Sequence, residues 1–380
     1  MSAKKHVRDL VIKSLSAIGA EREAKFYAEL FAQQSPEKFA LIVLDPRCLK
    51  NPLLEALTSN LRILSDLSLT PILLIGALGS DRTRVKFMSQ RLFKELDGMG
   101  VRAIKLNTAS YQLFPEVRKL TAKGQMPILE FTDAQQAIDL EGVINELQPA
   151  KVIFLQPSGG ISINGERVPF INIDKMDERL QGVALSKGQK TFQSLVTDFL
   201  NSPLNTSVYI MASPLNLLRE LFTTRGSGTL VRRGAPLLIV DSLSGLDESR
   251  LVASISGSFE KRLNPSFFET PINSAIVERD YRGGAILKDK QGLAYLSKFW
   301  VTREAQGEGI ARDIWDATIV HQPRVFWRSR ETNSFNNWYM KMCHGMQQVA
   351  GWRVFWRGLD TQEIPLAVNL ASSASDDFEH

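Results

Sequence analysis

The segment GLAYLSKFWVTREAQGEGIARDIW, residues 292 to 315, decides the fold of the second half of the chain. Its opening, from Gly292 to Val301, is apolar and aromatic and predicts a strand. An amphipathic helix begins near Gly309, and before it the turn runs through Gln306, Gly307, Glu308, Gly309, Ile310 and Ala311. Small residues let a backbone wrap closely around an anion. A helix that follows turns its unpaired N–H groups and the positive end of its dipole toward that anion. Strand, turn and helix read as a phosphate cradle, against the plainer reading of a glycine-rich turn into a helix.

Working outward, INSAIVERD (272–280) and GGAILKD (283–289) precede this strand with turn signals between them and predict an antiparallel meander. Downstream lie a strand at RVFWRSR (324–330), a helix from about Ser334 to Cys343, and a closing strand at WRVFWRGL (352–359). This order predicts an α+β domain over 240–370. All six tryptophans fall between Trp300 and Trp356, a shift in composition that marks the same domain. The polar end ASSASDDFEH is expected to leave residues 371–380 a disordered tail.

Before residue 235 the rhythm differs. Apolar runs at FALIVL (39–44), PILLIGAL (71–78), VRAIKLN (101–107), MPILEF (126–131), KVIFLQ (151–156), TSVYIMA (206–212) and TLVRRG (229–234) alternate with longer helical patterns. That alternation predicts an α/β sandwich with a mainly parallel sheet over 36–235. Residues 1–35 carry apolar positions at helical spacing and predict a helical arm.

Composition narrows the function. No apolar stretch approaches the roughly 20 residues of a membrane span, and no secretory or transit signal opens the chain, so a cytoplasmic protein is expected. The formal charge is +5, but no long Lys/Arg block supports a nucleic-acid partner. Cys48 and Cys343 stand alone, which argues against a metal site. Histidine is absent between His6 and His321, so catalysis must use other groups.

The spacing Gln306-x-x-Gly309-x-Ala311 matches the pyrophosphate loop of the GCN5-related N-acetyltransferases. YLSKFWV (295–301), AQGEGIARDIW (305–315), VFWRSRETNSFNNWYMK (325–341) and WRVFWRGL (352–359) resemble the acetyltransferase domain of the vertebrate-like N-acetylglutamate synthases, a class that includes bacterial bifunctional synthase/kinases. SVYIMASPLNLLRELFTTRGSGTLVRRG (207–234) resembles the end of their amino-acid-kinase domain. The resemblance implies an amino-acid-kinase-like α/β domain followed by an α+β acetyltransferase domain. It also implies acetyl transfer from acetyl-CoA to L-glutamate, the opening step of arginine biosynthesis, in a homo-oligomer, dimer or tetramer, joined through the kinase-like domain.

The residues agree with a dicarboxylate. Arg328 and Arg330, two apart on one strand, project to the same face and can form bidentate forks. Lys298 sits on the neighbouring strand, and Asn333 and Asn336 lie at the start of the closing helix. The plain alternative is that the arginines pair with surface acids. The resemblance implies Lys298, Arg328, Arg330 and Asn333 as glutamate contacts and Tyr339 as the catalytic tyrosine, which protonates the departing thiolate; core packing is its alternative role. A backbone N–H within Phe299, Trp300 and Val301 serves the oxyanion, and Lys298 with a depressed pKa, or a water chain, takes the ammonium proton.

A working kinase of this family needs a lysine and paired glycines after its first strand. Here Val43, Asp45 and Pro46 stand there, so kinase activity is expected to be absent. The end of that domain forms the family's arginine site, which implies Ser213, Glu220, Gly226 and Gly228 as contacts for an L-arginine effector; the alternative is that the segment only packs the sheet. Two other functions remain open: acetylation of another amino acid, and a non-catalytic arginine-sensing or assembly subunit.

Overall fold

The computed structural model describes residues 27–29, 31, 34–78, 82–108, 112–132, 139–201, 207–223, 226–269, 271–306, 308–333 and 335–379. The arm expected over 1–35 lies almost wholly outside them. The chain divides into two compact units, Met1–Arg233 and Gly234–His380.

In the first unit, β1 (Leu41–Leu44), β2 (Ile72–Ile75), β3 (Ala103–Asn107), β4 (Met126–Glu130) and β5 (Lys151–Leu155) are parallel neighbours. A small hairpin, β6 (Ser162–Ile163) with β7 (Glu166–Arg167), precedes β8 (Phe170–Asn172), and β9 (Val208–Ala212) and β10 (Thr229–Arg232) complete the set. The eight-stranded order is β3-β4-β2-β1-β5-β9-β10-β8, with β10 antiparallel to β9. Runs such as LIVL and ILLI are buried on every residue because both faces are covered. Alternation divides them: Ile42 and Leu44 join one core, Leu41 and Val43 the other. The covering helices include Leu53–Asp66, Arg82–Gly98, Leu113–Ala122, Leu140–Leu147 and Lys187–Asn201.

The second unit begins with β11 (Leu237–Val240), followed by the helix Glu248–Phe259, whose N-terminus is capped by Asp247. The meander is β12 (Ser274–Glu278), β13 (Gly283–Lys290) and β14 (Leu293–Val301). The helix Ile310–His321 leads to β15 (Val325–Arg330), the short helix Asn336–Met342 to β16 (Gly345–Val349), and a tight turn to β17 (Trp352–Arg357). The order is β11-β12-β13-β14-β15-β17-β16, and β14 with β15 is the parallel pair within it. Between β13 and β14, Gln291 and Gly292 both adopt positive φ, 56° and 81°, the geometry of a two-residue hairpin.

Residues 371–380 were expected to be a disordered tail, and the structure corrects this. The helix Ile364–Ser372 runs into the region, and Phe378 then bridges Leu263 while its ring packs on Phe259 at 4.9 Å. The polar composition concealed one aromatic anchor and two carboxylates that find cations in space. No helix among the described residues is long and apolar enough to cross a membrane.

Candidate active site

The second sheet opens at β14. Along β13 it is paired throughout, with one register shift that leaves Ser297 as an extra residue between Leu296 and Lys298. Along β15 pairing is confined to Ala294–Val325 and Tyr295–Phe326, after which the two strands part. Thr302 N donates to Arg282 O at 2.8 Å across the β13 side. The alternation of an antiparallel ladder therefore turns the main-chain groups of Phe299 and Val301 toward the opening. The Trp300 side chain has a structural role: its Nε1 donates to Ser254 Oγ at 2.8 Å, and a Cβ added at Gly284 would fall 2.4 Å from its ring.

Past Val301, a 3-10 turn over Arg303–Ala305 leads through Gln306 into the cradle; Gly307 lies outside the described residues. Gly309, at φ 84°, reverses the chain into the helix Ile310–His321, a conformation most side chains would strain. Ile310 is buried and, with Ala311 packed beside it, fixes the first turn of the helix in the same core as Phe299 and Val301 of β14. Glu308 is held by Arg282, which also pairs with the fully buried Glu278. This staple between the cradle and the β12–β13 turn was missed by the sequence reading.

The strands present two different faces. On one, Phe299, Trp327 and Phe355 join Ile310, Ile314, Trp315 and Tyr339. On the other, Tyr295 and Phe326 join Val354 and Val368. Lys298, Arg328 and Arg330 belong to this second face. The Arg328 and Arg330 guanidinium carbons lie 4.0 and 3.9 Å from the Trp352 ring centroid. Lys298 Nζ lies 4.9 Å from the rings of Phe267 and Phe378 and contacts the Asp377 carboxylate. Burial lowers the Lys298 pKa to about 8, with Asp377 pushing it back up. Burial likewise pushes the Tyr295 phenol, hydrogen-bonded with Arg328, up to about 12. Lys288 and Lys290 join the same basic face, both lowered by burial. Their i, i+2 spacing in GGAILKDK was the signal that could have revealed them.

Tyr339 stands across the sheet from these cations. Its ring sits 5.5 to 5.7 Å from Phe355, Trp338 and Trp327, and burial raises its pKa strongly. The hydroxyl is thus kept protonated throughout the physiological range. Asn333 does not join the cations. Its Nδ2 donates to Ser329 Oγ at 2.8 Å and its Oδ1 accepts from Phe335 N at 2.9 Å, which shapes the turn before Tyr339. Asn336 donates to the carbonyls of Arg330 and Glu331, while its Oδ1 is buried with no partner.

In the first unit, Glu220 is buried and accepts from Ser227 N and Gly228 N at 2.5 and 2.6 Å. Gly226 lies against it, since a Cβ there would fall 2.7 Å from Glu220 Oε2. Glu220, Gly226 and Gly228 thus form one cluster. Ser213 lines an adjoining cavity of 250 Å³ with Gly159, Arg167, Asn216 and Ser227. At the end of β1, Asp45 accepts from Arg47 N at 2.8 Å and caps a 3-10 turn beginning at Pro46.

The fold and site define a class: an acyltransferase of the GCN5-related type carried with an amino-acid-kinase-like unit. Residues 238–374 match the family model of the N-acetyltransferase domain of N-acetylglutamate synthase. Over 91% of its length the chain is 31% identical to the acetylglutamate kinase of Xanthomonas campestris pv. campestris, covering 96% of that protein. It is 35% identical over 61% of its length to the mitochondrial N-acetylglutamate synthase of Danio rerio, covering 46% of it. Among solved structures, N-acetylglutamate synthase from Neisseria gonorrhoeae, complexed with coenzyme A and N-acetyl-glutamate, superposes with a TM-score of 0.52. That match has 17% identity over 88% of this chain and 97% of the other, a likeness of fold. The chain belongs to the vertebrate-like N-acetylglutamate synthase and bifunctional synthase-kinase family.

Proposed function

We propose that the protein is an N-acetylglutamate synthase, which transfers the acetyl group of acetyl-CoA to the amino group of L-glutamate at the opening of arginine biosynthesis. The observation that carries this reading is the placement of Lys298, Arg328 and Arg330 on the parted halves of β14 and β15, with Tyr339 on the opposite face. Arginine forks suit carboxylates, and the two guanidinium groups are held in register by the Trp352 ring. Membership of the family, the match of residues 238–374 and the name of the Danio rerio relative support the same acceptor, while the Xanthomonas relative is named for the kinase step.

Acetyl-CoA supplies the thioester, and the Gly309 turn with the first helical N–H groups suits its pyrophosphate. The main-chain groups of Phe299 and Val301 edge the opening, where an N–H can stabilise the oxyanion formed when the amine attacks. The ammonium proton goes to a water chain, or to Lys298, whose pKa burial lowers to about 8; when Lys298 is neutral, Arg328 and Arg330 carry the charge that holds the carboxylates. Tyr339, kept protonated by burial, returns a proton to the departing thiolate.

The first unit is read as a regulatory part without kinase activity. At the end of β1, Val43 stands where the lysine is expected, and Asp45 caps the following turn and pairs with the Arg47 guanidinium at 2.7 Å, so among the described residues no free lysine faces a phosphate there. The cavity beside Ser213 and the Glu220 cluster is read as a site for L-arginine. Mass analysis of the product formed from acetyl-CoA and glutamate tests the central reading: N-acetylglutamate supports it, and unmodified glutamate rejects it.

A further inference from the structure

Each of the three cations assigned to the acceptor has a partner within one short segment of the same chain. The Asp377 carboxylate meets Lys298 Nζ and accepts from Ser297 Oγ at 3.2 Å. Asp376 Oδ2 accepts from Arg330 Nη2 at 3.1 Å. Arg328 donates through Nη1 to the carbonyl of Ala371 at 2.9 Å and through Nη2 to that of Ser375 at 2.8 Å. Two adjacent residues thus place two carboxylates against the cations that would hold a dicarboxylate.

We propose that residues Ser373–Glu379 form an internal ligand of the acceptor pocket, which the acceptor must displace. The inference rests on the reading of Lys298, Arg328 and Arg330 as the acceptor site. The other ties of the segment are Asn264 N to Asp377 O at 2.9 Å, Glu379 N to Arg262 O at 3.0 Å, the exposed Arg262–Glu379 ion pair at 3.5 Å, the bonds of Ser373 N and Oγ to Asn369 O at its helical end, and the Phe378 contacts. The Arg330 side chain is 57% exposed, so its pair with Asp376 is screened and weak, whereas Lys298 and Asp377 are 5% and 23% exposed. Such a strap can leave without unfolding the sheet. Its presence lowers the apparent affinity for the acceptor in proportion to the fraction of molecules left open.

Two variants test this: the chain shortened after Ser373, and the full chain carrying Asp376→Asn with Asp377→Asn. Glutamate binding is measured by calorimetry without acetyl-CoA, and initial rates are measured alongside. Both variants are expected to bind glutamate about tenfold more tightly, with a lower glutamate KM and an unchanged kcat. The peptide SASDDFEH, residues 373–380, is expected to inhibit the shortened chain competitively with glutamate. Unchanged glutamate affinity in both variants, with a parent that binds and acetylates glutamate, overturns the strap and leaves the function intact. A fall in kcat in the double variant also overturns it, because Asp377 would then serve the reaction. If glutamate binds to no form of the protein, the acceptor reading itself fails.

Discussion

Arg282 Nη1 donates to Glu308 Oε2 at 2.8 Å while Nη2 of the same guanidinium reaches Glu278 Oε1 at 3.3 Å. One side chain thereby joins the phosphate cradle to a carboxylate with no exposed surface.

The two halves of that staple separate by mutation. Glu308→Gln removes the charge that Arg282 holds in the cradle and is expected to raise the acetyl-CoA KM severalfold with little change in unfolding midpoint. Arg282→Ala also strips a buried carboxylate of its cation. It is expected to cost about 2 kcal/mol, less than a fully buried pair would, because Glu278 keeps two backbone donors and Arg282 is half exposed. Denaturant titration and substrate kinetics on both variants check this; equal stability loss in the two contradicts it.

Tyr339→Phe keeps the ring among Trp327, Trp338 and Phe355 and removes the hydroxyl alone. If the hydroxyl donates the leaving proton, turnover falls about a hundredfold while both Michaelis constants stay close to the parent values. Near-normal turnover would make the residue a packing element.

The pH dependence follows from Lys298. Burial depresses its pKa to about 8, so its neutral form, the one that accepts a proton, accumulates as pH rises through that value. The profile of kcat/KM is expected to rise with an inflection near 8. Asp377 raises the Lys298 pKa, so Asp377→Asn is expected to move the inflection to lower pH. An inflection that does not move excludes Lys298 as the titrating group.

For the first unit, arginine is expected to raise the melting temperature of the parent protein and to change its rate. Ser213→Tyr, which fills the 250 Å³ cavity, is expected to remove both effects. If arginine shifts neither property of the parent, the cavity is not its site.

What the sequence disclosed follows the range of the forces involved. LIVL and ILLI announce buried parallel strands because strand burial is written in local composition. Arg328 and Arg330 announce a shared face because a strand has period two. The Asp377–Lys298 contact joins residues far apart in the chain, and a polar run carries no local sign of the cations it will meet. Nor did spacing disclose that Tyr339 and the cations take opposite faces, since this depends on which face of the sheet the helix Asn336–Met342 covers. Asn333, which the resemblance implied as a glutamate contact, has both ends of its amide engaged by Ser329 and Phe335 in the turn, pairings that no spacing discloses.

The most direct measurement follows coenzyme A thiol release with acetyl-CoA and single amino acids at equal concentration. Release is expected with glutamate at least about tenfold faster than with aspartate, lysine or glutamine, because a pocket built to pair both carboxylates discriminates against partners that leave a cation unmet. Equal rates with these amino acids, or no release with glutamate, would contradict the assignment.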